Sequence, residues 1–114
     1  MHELGVVTYV ADAVDKIAVE QNVEKVLKVT LEIGEVSGVV PDYLVDCWNY
    51  FKKKHPLLTE SVLTWEEIPA LTYCEDCGEQ YETVAHGRTC PHCGSANTFL
   101  LQGRELNIKE IEAC

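Results

Sequence analysis

Two short stretches of the chain carry paired cysteines, and they read Tyr73-Cys74-Glu75-Asp76-Cys77-Gly78 and Cys90-Pro91-His92-Cys93-Gly94. Two residues between the cysteines of each pair let one tight turn aim both sulfurs at a single ion. Four thiolates at the corners of a tetrahedron suit zinc. The glycine after each second cysteine permits the positive φ that such turns commonly need. The sequence therefore predicts a closed, structural zinc site formed by Cys74, Cys77, Cys90 and Cys93, with no open position for chemistry.

Three other interpretations of the cysteine pairs compete with zinc. Two disulfides would need an oxidising compartment, and the start Met1-His2-Glu3-Leu4 lacks the basic segment of a signal peptide. A thioredoxin-type redox motif should follow a strand and open a helix, whereas each pair here precedes a glycine and polar residues. A rubredoxin-like iron site uses the same C-P-x-C-G turn. Iron therefore stays open as an alternative, with zinc favoured.

Composition limits the class of protein. The chain has 114 residues, of which 46% are hydrophobic, and this is enough for one compact unit or two small ones. Its formal net charge is −10, and Arg88 is the only fixed positive charge within residues 71–98. Binding to nucleic acid requires cations against phosphates, so we expect no nucleic-acid partner. No apolar run approaches membrane-spanning length, so we expect no membrane insertion and a cytoplasmic protein.

Hydrophobic periodicity predicts five elements outside the cysteine-rich segment. Apolar residues recur at steps of three and four over residues 3–21 and 41–54, which is the spacing of amphipathic helices. Residues 25–34 alternate between apolar and polar side chains, the period of a half-buried strand. Residues 61–68 and 99–111 are also predicted to be strands. The second of these should contain a bulge or bend where a glycine interrupts it.

Particular residues are expected to bound or fill these elements. Asn22 is predicted to cap the first helix at its C-terminus. Residues 78–89 are predicted to run out and back as a small hairpin with Gly87 near its tip. The inward-facing residues are predicted to be Leu4, Val7, Val10, Ala11, Val14, Ile17 and Ala18 in the first helix, and Leu44, Val45, Trp48 and Phe51 in the second.

The simplest architecture for these elements is an α+β fold. Two helices cover one face of a small antiparallel or mixed β-sheet, and a four-cysteine zinc ribbon is inserted between its second and third strands. The predicted helix–sheet domain comprises residues 1–69 and 99–114, and the inserted ribbon comprises residues 70–98. Metal binding should fix the ribbon, because its few apolar residues could not build a core alone.

The other cysteines and histidines receive structural interpretations. Cys47 lies beside the inward stripe of the second helix and is predicted to be a small core residue. His55 follows that helix and is predicted to be structural or solvent-exposed. His86 and His92 are expected to be exposed, although either could exchange with a cysteine at the metal. The role of Cys114 is left open.

With these elements placed, the sequence resembles the HypA/HybF family of nickel-insertion accessory proteins for [NiFe]-hydrogenase. The likeness covers essentially the whole chain, whereas the ribbon alone would be unspecific. The resemblance rests on the Met1-His2-Glu3-Leu4 start, the Leu31–Pro41 stretch LEIGEVSGVVP, the two cysteine pairs, and the closing Gly103–Ile111 stretch GRELNIKEI.

The resemblance implies a nickel metallochaperone and not an enzyme. Ni(II) would be transferred cargo bound at the N-terminus, centred on His2 with Glu3 adjacent, while the ribbon cysteines would hold structural Zn(II). The resemblance also implies two partners, a HypB-type GTPase and the precursor of the [NiFe]-hydrogenase large subunit. Some members of the family also serve urease.

The chemistry of the first residues is compatible with nickel. The amine of Met1, the amide nitrogen of His2 and the His2 imidazole can form fused chelate rings, and nitrogen donors in a plane suit square-planar Ni(II). The Glu3 amide or a side chain from elsewhere could supply the fourth donor. Without the resemblance, His2 would be interpreted as an ordinary exposed residue. The alternative functions are a zinc-ribbon adaptor that binds protein or nucleic acid without nickel traffic, and a rubredoxin-like electron carrier.

Overall fold

The computed structural model describes residues 3–114, which form three helices and six strands. In chain order these are α1 (Glu3–Glu20), β1 (Val26–Gly34), α2 (Pro41–Phe51), β2 (Val62–Ile68), β3 (Leu71–Cys74), β4 (Gln80–Glu82), α3 (Thr83–His86), β5 (Thr98–Gln102) and β6 (Leu106–Ala113). Two short 3-10 turns connect α2 to β2. The predicted α+β class is confirmed. No helix among the described residues is long and apolar enough to cross a membrane.

The first sheet has the strand order β2-β1-β6, with β1 parallel to β2 and antiparallel to β6. The alternating residues Val29, Leu31 and Ile33 of β1 are buried, and they pack in one cluster with the valines of α1 and with Leu44 and Trp48 of α2. This is the predicted layer of two helices on a small mixed sheet. The indole N–H of Trp48 donates to the Ser61 hydroxyl at 3.0 Å, so the largest core side chain is also hydrogen-bonded.

Asn22 ends the first helix, as the sequence predicted. Its φ of 54° is in the left-handed region, which asparagine tolerates better than most residues. Its N–H donates to the carbonyl of Val19 at 3.4 Å, and the N–H of Val23 donates to the carbonyl of Ala18 at 2.9 Å. These paired bonds are a Schellman motif, which satisfies carbonyls that the helix itself leaves unbonded.

The predicted inward face of α1 is correct at its centre and wrong at its flanks. Leu4 and Ile17 are 47% and 39% exposed, whereas Val6, which the periodicity did not select, is buried. The buried stripe consists of Val7, Val10, Ala11, Val14 and Ala18. Leu4 and Ile17 lie on either side of this stripe, near the two ends of the helix, and both stay partly open to solvent.

The second sheet has the order β4-β3-β5, and both neighbours of β3 are antiparallel to it. The prediction of one strand over residues 99–111 is wrong, because β5 pairs with β3 while β6 pairs with β1 in the first sheet. Gly103, with φ of 128°, carries the chain from one sheet to the other. The second sheet thus continues to Gln102, while the division into two domains stays a prediction.

The hairpin predicted over residues 78–89 is also not formed. Residues 80–82 pair instead with β3, and the single turn of α3 follows them directly. This turn ends at Gly87, whose φ is 63°. The glycine therefore stops a helical turn and does not form the tip of a hairpin, and residues 88–89 pass on towards the second cysteine pair.

The turn after β1 is hydrogen-bonded to both of the chain segments that connect the two sheets. The N–H of Glu35 donates to the carbonyl of Ile68 at 2.9 Å, and its carboxylate Oε1 accepts the N–H of Ala70 at 2.8 Å. The N–H of Val36 donates to the carbonyl of Gly103 at 2.9 Å. We call residues 34–36, 68–70 and 103–105 together the joint.

Close backbone packing in the joint requires glycine at two positions. A Cβ on Gly34 would overlap the carbonyl of Gly103 and lie 2.6 Å from the backbone nitrogen of Arg104. A Cβ on Gly103 would lie 2.7 Å from the Cα of Ala70. The carboxylate of Glu105 accepts the N–H of Gly103 at 2.6 Å, which fixes the second connection from its other side.

Candidate metal centre

Two equivalent turns build the cysteine site. In the first, the N–H of Gly78 donates to the carbonyl of Cys74 at 2.9 Å, and in the second the N–H of Gly94 donates to the carbonyl of Cys90 at 2.9 Å. The φ angles of the two glycines are 77° and 74°. Both glycines thus supply the positive φ that the sequence predicted. Neither C-x-x-C pair opens a helix in the described chain, which argues against a thioredoxin-type motif.

The four sulfurs lie close enough to share one metal ion. The Sγ atoms of Cys74, Cys77, Cys90 and Cys93 all lie within 4.8 Å of one another. The Cys74–Cys93 and Cys77–Cys90 sulfur pairs are each 3.6 Å apart. Sulfurs bound tetrahedrally at about 2.3 Å from zinc would be roughly 3.8 Å apart, so the arrangement fits such an ion. The same distances are far longer than a disulfide bond of about 2.05 Å.

Burial divides each cysteine pair in the same way. The first cysteines, Cys74 and Cys90, are buried, while the second ones, Cys77 and Cys93, are exposed. The buried two form a small cluster with Tyr81, whose hydroxyl donates to the carbonyl of Gly87 at 2.8 Å. So small a cluster stabilises this region little by itself, and a shared metal ion would supply the missing cross-link.

The thiols influence one another's ionisation. Desolvation raises the pKa of Cys90, but backbone N–H groups of the second turn and the Cys77 thiol favour its thiolate and lower that pKa to about 7. At Cys77, the backbone of Glu79 lowers the pKa, but desolvation and the neighbouring sulfurs outweigh it and raise the pKa to about 12. The raised pKa of Cys77 means that this thiol resists ionisation unless a cation lies among the sulfurs. A divalent ion would displace the thiol protons as it bound.

A hydrogen-bonded bridge joins the two turns, and sequence reasoning missed it. The carboxylate of Asp76, inside the first turn, accepts the hydroxyl of Ser95 and, at 3.3 Å, the side-chain amide of Asn97. The N–H of Glu75 donates to the carbonyl of Asn97 at 3.0 Å. Hydrogen bonds from Ser95 and Asn97 lower the pKa of Asp76. An acid within one turn and short polar residues after the other were the available signal.

The nickel residues expected at the N-terminus are only partly within the described structure. Met1 and His2 lie outside the described residues. Glu3 is the first residue of α1, and its carboxylate Oε2 is 3.5 Å from the N–H of Val40, which precedes α2. The N-terminal ends of the two helices thus lie side by side.

The remaining cysteines and one histidine lie apart from the four-sulfur cluster. Cys47 is half-buried and packs against the main core, as predicted, while Cys114 is exposed. The Nε2 atom of His55 is 3.0 Å from a carboxylate oxygen of Asp15. His55 therefore tethers the segment after α2 to α1, in agreement with its predicted structural role.

The two histidines near the cysteine pairs do not join the cluster. His86 is exposed, and its ring meets the ring of Tyr81 edge-on at 5.9 Å between centroids. His92 is exposed within the second turn, and its backbone N–H donates to the sulfur of Cys90 at 3.4 Å. Among the described residues, the only group of three or more side chains arranged to hold a metal consists of the four cysteines.

Comparison with known proteins places the whole chain in one group. Residues 1–113 match the family model described as "Hydrogenase/urease nickel incorporation, metallochaperone, hypA". The chain is 35% identical to the hydrogenase maturation factor HypA of Geobacter metallireducens over 98% of each chain. It is 30% identical to the hydrogenase maturation factor HybF of Klebsiella pneumoniae, again over 98% of each. The solution structure of the Ni metallochaperone HypA from Helicobacter pylori superimposes with a TM-score of 0.74 at 23% identity, covering 99% of this chain and 97% of that one.

Fold, cysteine cluster and sequence matches together define a metallochaperone, an accessory protein that handles a metal for another protein and does not catalyse a reaction. The chain belongs to the HypA family of nickel-incorporation proteins, with the match extending over nearly its full length. The resemblance drawn from the sequence is thereby confirmed. The likeness to the Helicobacter pylori structure, at its lower identity, supports the fold.

Proposed function

We propose that the protein binds Ni(II) through Met1, His2 and Glu3 and donates it to [NiFe]-hydrogenase during maturation. The observation that carries this proposal is the family match, which starts at residue 1 and describes nickel incorporation. The proposed donors are the Met1 amine, the amide nitrogen and imidazole of His2, and the amide nitrogen of Glu3. Four nitrogens in a plane suit square-planar Ni(II).

The position of Glu3 supports its amide as the fourth donor. The first four N–H groups of a helix have no acceptor within that helix. Because α1 begins at Glu3, helix formation does not consume this N–H. The helical N-terminus also places partial positive charge here, which favours loss of the amide proton when a metal binds.

We propose that the second metal is structural Zn(II), held by Cys74, Cys77, Cys90 and Cys93. The tetrahedral fit of the sulfurs supports a four-coordinate ion, and four thiolates leave no open position for cargo. A transfer protein needs accessible, exchangeable ligands for its cargo, and a chain end offers them better than a closed cluster. The two metals would thus have separate roles, one in transfer and one in folding.

The proposed partners follow from the family's role in hydrogenase maturation. A HypB-type GTPase would supply the nucleotide hydrolysis, and the precursor of the hydrogenase large subunit would receive the nickel. The expected cytoplasmic location and the absence of a nucleic-acid partner stay predictions.

Nickel titration of untagged protein tests the N-terminal site. His2→Ala removes the imidazole, and an N-terminal extension removes the free amine while leaving every side chain in place. Each change should weaken nickel binding at least roughly tenfold, or about 1.4 kcal/mol. Binding should also weaken as pH falls, because protons compete for the amine, the amides and the imidazole. Isothermal titration calorimetry measures all three effects.

A C-terminally extended protein is the matched control, and it should bind nickel as the wild type does. Zinc content should stay unchanged in every form, since the ribbon uses other ligands. If the N-terminally extended form binds nickel as tightly as the wild type, the terminal amine is not a ligand. If His2→Ala also binds normally, the nickel site lies elsewhere in the chain.

A further inference from the structure

Both arginines of the sequence, Arg88 and Arg104, line one cleft beside the second sheet. The cleft has a volume of about 440 Å³ and also contains Thr72, Thr98 and Phe99. This volume lies within the usual range of ligand sites, roughly 300–1,000 Å³. Both arginines of the chain therefore lie at one cleft, although the net charge of the chain is −10.

Neither guanidinium group has an ionic partner within the described chain. The salt bridges formed by residues 3–114 use Lys25, Lys109 and His55, and neither arginine takes part. Glu105, which lines the adjoining cleft with Arg104, uses its carboxylate Oε1 to accept the N–H of Gly103. The two guanidinium groups thus line a cleft without an ionic partner, although acidic residues outnumber basic ones in the chain as a whole. Guanidinium groups bind planar oxyanions such as carboxylates through paired hydrogen bonds.

The cleft follows the free edge of a strand. β5 is the edge strand of the second sheet, with β3 on its other side. The arginine cleft is lined by Thr98, Phe99 and Leu100 in succession, and the adjoining cleft of about 330 Å³ is lined by Leu100, Leu101 and Gln102. Consecutive residues of a strand point to opposite faces, so a surface that touches all of them includes the strand's edge. Thr72 of β3, which pairs with Leu100, extends the arginine cleft from this edge onto one face of the sheet.

Exposed apolar side chains accompany the two charges. Phe99 and Leu101 are 45% and 43% exposed, and both belong to β5. The Phe99 ring is held by that of Tyr73, at 5.4 Å between centroids, and the backbone of Arg88 is held by the Thr98 hydroxyl, at 2.8 Å from its carbonyl. The edge therefore presents apolar side chains, unpaired backbone groups and two cations on a fixed support.

We propose that the edge of β5 between Arg88 and Arg104 is a docking site for an extended, carboxylate-bearing segment of a partner protein. The segment would add a strand beside β5 and bond main chain to main chain, as extended peptides do at sheet edges. Its acidic side chains would pair with the two guanidinium groups, and its apolar ones would cover Phe99 and Leu101. Charge argues for this occupant. The net charge of −10 would repel a long polyanion, whereas the two arginines can neutralise the few carboxylates of a short acidic segment.

The proposal concerns a protein surface and does not depend on which metal the chain carries. The probe is an acetylated and amidated pentapeptide of alternating valine and glutamate, since five residues match the length of β5. The protein, labelled with nitrogen-15 and used with its metal as isolated, is titrated while the amide NMR spectrum is recorded. Saturable shifts should concentrate in residues 98–102 and weaken as salt is added.

Substitutions locate the charge contribution. Arg88→Gln and Arg104→Gln should each weaken peptide binding about tenfold, while Lys16→Gln, on an exposed position of α1, should leave it unchanged. None of the three should alter nickel binding, which separates this test from that of the N-terminal site. Both arginines are exposed, so their replacement should not disturb folding.

Each of four results would overturn the proposal. One is the absence of saturable shifts in β5. A second is equal affinity for a peptide with glutamine in place of glutamate, since that removes the role of charge. A third is equal weakening by Lys16→Gln, since that makes the effect one of net charge alone. The fourth is saturation of the same resonances by inorganic phosphate at equal or lower concentration, which would identify a pocket for small oxyanions.

Discussion

Gly34 shows how a single residue without a side chain can hold a fold in place. It ends β1 where the chain segment after β5 crosses most closely, and its own N–H donates to the carbonyl of Glu105 at 2.8 Å. A methyl group at this position would meet backbone atoms of Gly103 and Arg104, which cannot rotate aside as a flexible side chain could. A glycine at the end of a predicted strand does not by itself indicate that another segment of the chain crosses there.

Gly34→Ala should destabilise the protein by about 1–3 kcal/mol, the usual cost of forcing an extra carbon into a packed site. The cost arises because the crossing segment must move away and lengthen the hydrogen bonds of the joint. Chemical denaturation followed by circular dichroism would measure the change in unfolding free energy.

Gly5→Ala is the matched control for that measurement. A Cβ at Gly5 meets nothing within 4 Å, and the residue lies within α1. Alanine should stabilise the helix there by about 0.5 kcal/mol, because it loses less backbone freedom on folding than glycine does. If the two variants shift stability equally, the backbone contact at Gly34 does not contribute as the structure indicates.

Other residues show which local features can be predicted from the sequence alone. Asn22 and the glycines after the cysteine pairs were predictable, because a tight turn or a helix end demands a backbone conformation that few residues adopt. Asp76 was not predictable in the same way. Its partners lie across the cysteine cluster, and a carboxylate in a polar loop is ordinarily a solvated charge.

Among the elements, the two cysteine turns with β3 and β4 should depend most on the proposed metal. Cys77→Ala should release the proposed zinc and unfold this region, because three thiolates and so small a cluster cannot hold it. The helices α1 and α2 have their own core and should survive. Native mass spectrometry would report the zinc, and circular dichroism the remaining helix.

Cys114→Ala provides the comparison for that experiment. Cys114 is an exposed cysteine outside the cluster, so its loss should leave both the zinc and the fold unchanged. Full zinc retention in Cys77→Ala would exclude the four-cysteine assignment.

The predictions for residues 99–111 and 78–89 were wrong because strand pairing there depends on residues that are distant in the sequence. Residues 98–102 and 106–113 both have strand-like sequences, and only their partners assign them to different sheets. Periodicity describes which side of a strand is apolar and not which strand lies next to it. The same limit explains residues 80–82, whose pairing with β3 could not be inferred from their own short sequence.

At the scale of the whole molecule, the protein is elongated, with principal dimensions of 54 × 26 × 16 Å. Helix α1, which follows the proposed nickel residues, packs on the first sheet, whereas Cys74 ends β3 of the second sheet, and the joint connects the two sheets. Because the first sheet and its two helices share one core, this part should fold without residues 71–102.

A shortened protein tests this expectation directly. Ala70 would be joined to Gly103 through two glycines, with residues 71–102 removed. The product should contain no zinc, retain the helical signal of α1 and α2, and bind nickel as tightly as the full chain does. A product that fails to fold, by thermal unfolding followed with circular dichroism, would show that the two sheets depend on each other.

The side-by-side arrangement of the two connections has an engineering consequence. The side-chain amide of Gln102 donates to the carbonyl of Pro69 at 2.8 Å, so the chain leaves the first sheet and returns to it at almost the same point. The segment that forms the second sheet therefore leaves and rejoins the rest of the chain at one place, and it could be exchanged as a unit. A different small domain with adjacent termini could be inserted at this point, and the cysteine-containing unit could be grafted into a surface turn of an unrelated scaffold.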